Sequence, residues 1–103
     1  MSETTFIADL QSGNRAAYSR LIDEYQQRIF HTCLSFVPNK EDAEDVAQEV
    51  FVEIFRSIHK FKGNSKLSTW IYRISTNKSL EFIRKKNTKK RFGFMQSIFG
   101  NEI

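Results

Sequence analysis

The sequence has one cysteine, one proline and four glycines in 103 residues, and each scarcity closes off a class of structure. Cys33, standing alone, cannot form an internal disulfide, and no Cys/His cluster has the spacing of a zinc site. Packing must hold the fold, and 40% hydrophobic and 14% aromatic residues supply the material for one core. β-Branched residues seldom alternate with polar ones, so half-buried strands are not expected, and the sparse Pro and Gly leave few chain breaks. The expectation is one compact all-α domain of three to four helices.

No apolar run approaches the ~20 residues of a membrane span. The opening MSETTFIADLQSG also lacks the basic stretch and apolar run of a secretory signal. The chain reads as soluble and cytoplasmic. HExxH, GxSxG and a glycine-rich phosphate loop are all missing, and His31 and His59 stand alone. No catalytic set, metal site or cofactor site emerges, and the chain is not expected to be an enzyme.

Charge of each sign is scarce in one part of the chain. Residues 1–59 carry five Lys/Arg against ten Asp/Glu, a net of −5, whereas residues 60–103 carry eleven against two, a net of +9. An acidic part joined to a basic part suits two partners, one with a basic surface and one polyanionic; a merely solvated charge pattern is the plain alternative.

Helical spacing organises the rest. A short helix is expected over Thr5 to Gln11, ended by Ser12-Gly13, with Asn14 capping its successor. From Arg15 to Phe36 the residues Tyr18, Leu21, Ile22, Tyr25, Ile29, Cys33 and Phe36 recur at steps of three and four, and Pro38 ends that helix. Asn39 caps the next, where Glu41, Asp42 and Glu44 suit the positive end of the helix dipole. Its stripe of Ala43, Val46, Ala47, Val50, Phe51, Ile54, Phe55 and Ile58 leaves an acidic outer face. Phe61 to Ser65 breaks the period. Leu67, Trp70, Ile71, Ile74, Leu80 and Ile83 then resume it in a helix expected to end near Lys90, followed by an apolar but irregular FGFMQSIFGNEI.

The loop and last helix combine Lys60, Lys62, Lys66, Arg73, Lys78, Arg84, Lys85 and Lys86 with Phe61, Trp70 and Tyr72. Cations neutralise phosphates, and exposed rings stack on unpaired bases for ~1–3 kcal/mol each, so this mixture suits single-stranded nucleic acid. Trp70 lies on the apolar stripe, where spacing alone favours a core role over a stacking platform. Asn77, near that stripe, offers donors and an acceptor that can read an extruded base, or it is a buried amide satisfied by backbone. Asn64 belongs to the turn, and Ser65, Ser68 and Thr69 bring hydroxyls for phosphates or for capping at Ser65. On the acidic helix, outward carboxylates accompany Val52 and Phe55, which do not all fit beneath one core. That surface suits docking against a basic protein partner.

The motif D-A-E-D-V-A-Q-E-V-F, followed by F-K-G-N-S-K-L-S-T-W-I-Y-R-I-S-T-N, resembles region 2 of the bacterial group IV (extracytoplasmic-function, ECF) sigma factors of the sigma-70 family. The resemblance covers about Asp9 to Arg91. It implies a transcription-initiation domain whose acidic helix docks on the β′ clamp helices of core RNA polymerase. The docking positions would be Asp42, Asp45, Val46, Gln48, Glu49, Phe51, Val52 and Glu53. It implies further that the loop Phe61 to Lys66 and the helix after it capture the non-template strand of the promoter minus-10 element, an extruded base held in a pocket of that loop with Trp70, Tyr72, Arg73 and Asn77. An anti-sigma factor is a further implied partner. Residues 1–91 are expected to form region 2 and 92–103 to begin a linker towards a region 4 that the chain does not include. The alternative is a helical interaction protein with an acidic partner-binding face and no specific DNA activity.

Overall fold

The computed structural model describes residues 2–99, the side chains up to residue 98. Within that span there are four α-helices and no strand: α1 (Glu3–Gln11), α2 (Arg15–Phe36), α3 (Lys40–Ser57) and α4 (Leu67–Phe99), with a single 3-10 turn, Ile58–Lys60, after α3. The helix starts follow from local chemistry. Ser2, Asn14 and Asn39 each take an extended backbone, and their side chains accept from the amides of Thr5, Ala17 and Asp42. Gly13 and Gly63 supply the left-handed conformations, φ 81° and 76°, that turn the chain after α1 and before α4.

Helices α2, α3 and α4 pack pairwise, and α1 lies across α2 and the 3-10 turn. Leu10 from α1, Leu21, Ile29 and Cys33 from α2, Val46, Val50 and Ile54 from α3, and Leu67 and Ile71 from α4 meet in one core, none more than 2% exposed. Burying a side chain of this size stabilises by about 1.5–3 kcal/mol. Further along α4 the buried positions are Ser75 and Ser79, whose hydroxyls donate to the carbonyls of Ile71 and Ser75 at 2.9 and 2.8 Å. Small side chains there let α4 lie close to Cys33 of α2.

Three stripe positions face solvent instead of the core: Ile22 is 42% exposed, Phe55 61% and Leu80 42%. Each lies at the edge of its apolar arc, and the three-helix core is narrower than the arcs. Ser65 does not cap α4; its hydroxyl donates to the carbonyl of Lys66, and α4 opens only at Leu67. The segment expected to be irregular after Arg91 continues α4 as far as Phe99, and the rest of the expected linker, residues 100–103, lies outside the described residues. Beyond Ile83 every position of the helix described as far as Ile98 is exposed, Phe92, Phe94, Met95 and Ile98 among them.

Candidate nucleic-acid and protein interfaces

Along α4 the exposed positions Lys66 (just before it), Thr69, Arg73, Asn77, Leu80 and Arg84 recur at three and four, which sets them in one strip on the side away from the core. Asn77 therefore faces solvent, and the buried-amide reading is excluded. The loop supplies Lys60, Lys62 and Asn64, all exposed, at the N-terminal end of the strip. Among the described residues none of Lys60, Lys62, Lys66, Arg73 and Arg84 forms an ion pair. Their charge is left to the solvent side.

The rings divide. Phe61 is 9% exposed and belongs to the core, so its role at the strip is structural. It props Trp70, whose ring lies 5.2 Å from it at 46°, and which is half-buried. Part of the Trp70 ring packs against the core, and the rest stays accessible. Tyr72 is 56% exposed on the edge of α4 nearer α2, with Ser68 half-buried beside it. The loop is held from below: Gln11 of α1 donates from Nε2 to the carbonyls of Ile58 and Phe61 at 3.1 and 2.9 Å. Sequence reasoning missed this contact, since nothing in a lone glutamine 50 residues away signals it.

Three basic residues grouped with the strip lie elsewhere, Lys86 among them, beside Asp42 of α3. Lys78 turns towards α3, where its ammonium sits 3.7 Å from Glu53 and 3.8 Å from Glu81. Lys85 meets Glu81 at 3.1 Å on the same side of α4. The hydrogen bond from Lys85, then the charge of Lys78, holds the Glu81 carboxyl below its ordinary range. Glu53 is lowered chiefly by the Ser57 hydroxyl donating at 2.6 Å, against an opposing effect of burial, with Lys78 adding a lesser lowering.

On α3 the outer face carries Asp45, Gln48, Glu49, Val52 and Phe55, all exposed, with Phe51 half-buried beside them. Val46 is 1% exposed and faces the core, so its side chain is not available to a partner. Asp42 is engaged by Lys86 at 3.5 Å and Glu53 by Lys78, while Asp45 and Glu49, with Glu41 and Glu44 nearer the start of the helix, are exposed and unpaired among the described residues. The apolar part is larger than the sequence suggested. Phe55 stacks on Tyr18 of α2 at 4.2 Å, and Ile22 continues the patch towards Phe51 across the groove between α2 and α3. Those α2 residues were hidden in a stripe that reads as core.

No group of three or more His, Cys, Asp or Glu that could hold a metal is found among the described residues, and no helix described is long and apolar enough to cross a membrane.

A helical core with a basic, partly aromatic strip on one helix and an acidic-apolar face on another presents two chemically distinct surfaces. The sequence matches the Sigma-70 region 2 family over residues 21–89, and the chain belongs to that family, in its ECF group. It is 39% identical over 80 residues to the ECF RNA polymerase sigma factor SigW of Bacillus subtilis (strain 168), covering 78% of this chain and 43% of that protein. It is 29% identical over 83 residues to the ECF RNA polymerase sigma-E factor of Escherichia coli (strain K12), covering 81% and 43%. The chain thus spans less than half the length of these relatives. Among solved structures it is similar to an engineered region 2 of sigmaE, in complex with GTAAAA, with a TM-score of 0.75 and 30% identity over 86% of this chain and 97% of that one.

Proposed function

We propose that the chain acts in transcription initiation: it docks on core RNA polymerase through α3 and its α2 flank, and it recognises and melts the promoter minus-10 element. Melting proceeds by capture of the non-template strand on the loop 60–66 and the strip of α4. The observation that carries this reading is the segregation of unpaired cations and exposed polar and aromatic groups on α4 from the acidic-apolar face of α3. An interaction protein with one acidic face leaves the unpaired basic strip without a role. The similar sigmaE region 2, bound to a six-nucleotide strand, supports the assignment of the strip to DNA.

Opening requires no nucleotide hydrolysis in this scheme. Unstacking and unpairing cost a few kcal/mol per extruded base, and stacking at ~1–3 kcal/mol per base with phosphate neutralisation offsets that cost. The protein binds the melted strand selectively. On β′ the clamp helices are the docking partner, Val52 and Phe55 giving the apolar centre and Asp45 and Glu49 the steering charge. Action on DNA and polymerase places the protein in the cytoplasm, where an anti-sigma factor covering either face would silence it. Residues 1–91 form the binding unit.

The test is selection of strands bound by the chain from a randomised minus-10 library, in parallel with pull-down of a clamp-helix fragment. The expected result is saturable binding that prefers a defined single strand over its duplex, relaxed at one base by Asn77→Ala. Equal retention of all strands, or no capture of the clamp fragment at low salt, rejects the reading.

A further inference from the structure

From Arg84 to Ile98 every position of α4 is exposed, and the chain is drawn out to 64 × 24 × 23 Å. Arg84, Arg91, Met95 and Ile98 are separated by seven, four and three residues and so share one face of this extension. At 100° per residue, Phe92 and Phe94 flank that face on opposite sides. The four apolar side chains are 47% to 64% exposed, a patch of the kind that marks an interaction site. Lys85 and Lys86 are held by Glu81 and Asp42, whereas Arg84 and Arg91 are unpaired among the described residues. Two guanidinium groups and the apolar patch therefore face solvent together.

A surface of complementary chemistry lies on the same chain. Along α3 the carboxylates of Asp45 and Glu49 come first and the exposed Val52 and Phe55 follow. Along the extension the guanidinium groups come first and the apolar side chains follow. Arg91 to Ile98 covers about 10.5 Å of helix, and Glu49 to Phe55 covers about 9 Å. Laid parallel, the two helices set cation on carboxylate and apolar on apolar. Within one chain they cannot meet. α4 runs antiparallel to α3, with Lys78 by Glu53 and Lys86 by Asp42 in the first turn of α3, so the helix then carries Ile98 about 18 Å past Lys86 and beyond the start of α3. A lipid surface is a poorer match, because Arg84 and Arg91 lie within the apolar face and not on the polar one. We propose that the end of α4 docks on the α3 face of a second copy, and that the contact is reciprocal, closing a two-fold dimer. The dimer hides the face assigned to the polymerase clamp; this consequence, unlike the dimer itself, rests on the docking reading.

Sedimentation equilibrium of the full chain tests the dimer, with circular dichroism to show that each variant stays folded. The unaltered chain is expected to dimerise reversibly, its affinity falling at least about tenfold between about 0.05 and 0.5 M salt. Arg91→Glu and Glu49→Arg are each expected to weaken the dimer at least about tenfold, and the double variant, which restores opposite charges, to recover it. Ile98→Asp is expected to abolish it. A chain that stays monomeric at ~1 mM, single charge reversals without effect, or a double variant no better than either single one overturns the proposal. Uptake of the extension by vesicles of anionic phospholipid, in place of dimer formation, overturns it as well. Added clamp-helix fragment is expected to dissociate the dimer. A dimer that persists with the clamp fragment bound leaves self-association standing and rejects the shared face.

Discussion

The side-chain amide of Gln11 lies 2.9 Å from the carbonyl oxygen of Phe61 and donates to it, while donating also to Ile58 at 3.1 Å. The first helix is thereby tied to the start of the loop that carries Lys62, Asn64 and Lys66. Gln11→Ala takes this donor from the partly buried Phe61 carbonyl, while the Ile58 carbonyl keeps the Phe61 amide, at a cost of about 1 kcal/mol. Gln11→Glu is expected to be worse, since a carboxylate then faces two carbonyl oxygens. Chemical denaturation measures the loss, and strand binding is expected to weaken in the same order while clamp binding stays unchanged. Equal effects on both partners would argue for general destabilisation and against a loop tether.

Ser79 makes a second local prediction. It is fully buried, its hydroxyl bonded to the carbonyl of Ser75 four residues back, with the Cys33 thiol of α2 alongside. Ser79→Ala removes a hydroxyl together with its hydrogen bond and is expected to change stability by less than about 1 kcal/mol. Ser79→Leu adds volume where two helices touch and is expected to cost about 1–3 kcal/mol or more, read from the urea midpoint.

The docking face of α3 separates by exposure. Val52 is 55% exposed, and Val52→Asp is expected to keep stability within about 0.5 kcal/mol while abolishing capture of the clamp fragment. Phe55→Ala loses its stack on Tyr18, worth about 0.5–1.5 kcal/mol, and is expected to weaken capture as well. Val46→Asp, by contrast, buries a charge in the core and is expected to unfold the chain, visible as lost helical circular dichroism. A folded Val46→Asp protein that fails only to dock would reverse the assignment.

These contrasts show where sequence reasoning reached and where it stopped. Asn14, Asn39, Gly13 and Gly63 are local signals, complete within a few residues, and the helix starts and turns followed from them. Ile22 and Phe55 defeat periodicity, because an apolar residue at helical spacing has the same pattern whether it meets the core or a partner. Their exposure depends on where the neighbouring helix lies. Lys78 was grouped with the strip by proximity in sequence, yet one residue is 100° of helix, enough to carry it from the side of Asn77 to that of Glu53. The role of Gln11 arises only from contacts distant in sequence.

Burial pushes the Cys33 thiol above its ordinary value of 9.0. The folded state then holds its proton to higher pH than the unfolded state does. That contribution is fully present below pH 9.0 and is lost as pH rises from there through the folded value. Tyr18 and Tyr25, raised by burial from 10.0, act in the same direction at higher pH. The alkaline limb of a stability profile should therefore be shallower in Cys33→Val than in the unaltered chain. Alkylation by iodoacetamide near pH 8 should be slow until urea unfolds the protein. Rapid labelling in the folded state would contradict the burial.

Arg73 and Lys78 are five residues apart on one helix, and the structure sets them on different sides of it. Arg73 is exposed and unpaired among the described residues, whereas Lys78 sits between Glu53 and Glu81. Arg73→Ala is expected to reduce the salt slope of strand binding by about one, with stability unchanged. Lys78→Met should leave both the slope and the affinity alone. Its signature lies at acid pH. Both carboxyls are lowered in the folded state, chiefly by Ser57 and Lys85 and then by Lys78, so the stability they contribute is present above their ordinary value of 4.5 and disappears as pH falls through the folded values. Without the ammonium that lowering is smaller, and the Lys78→Met protein should lose less stability between neutral and acid pH than the unaltered chain does. A salt slope reduced as much by Lys78→Met as by Arg73→Ala would return Lys78 to the DNA strip.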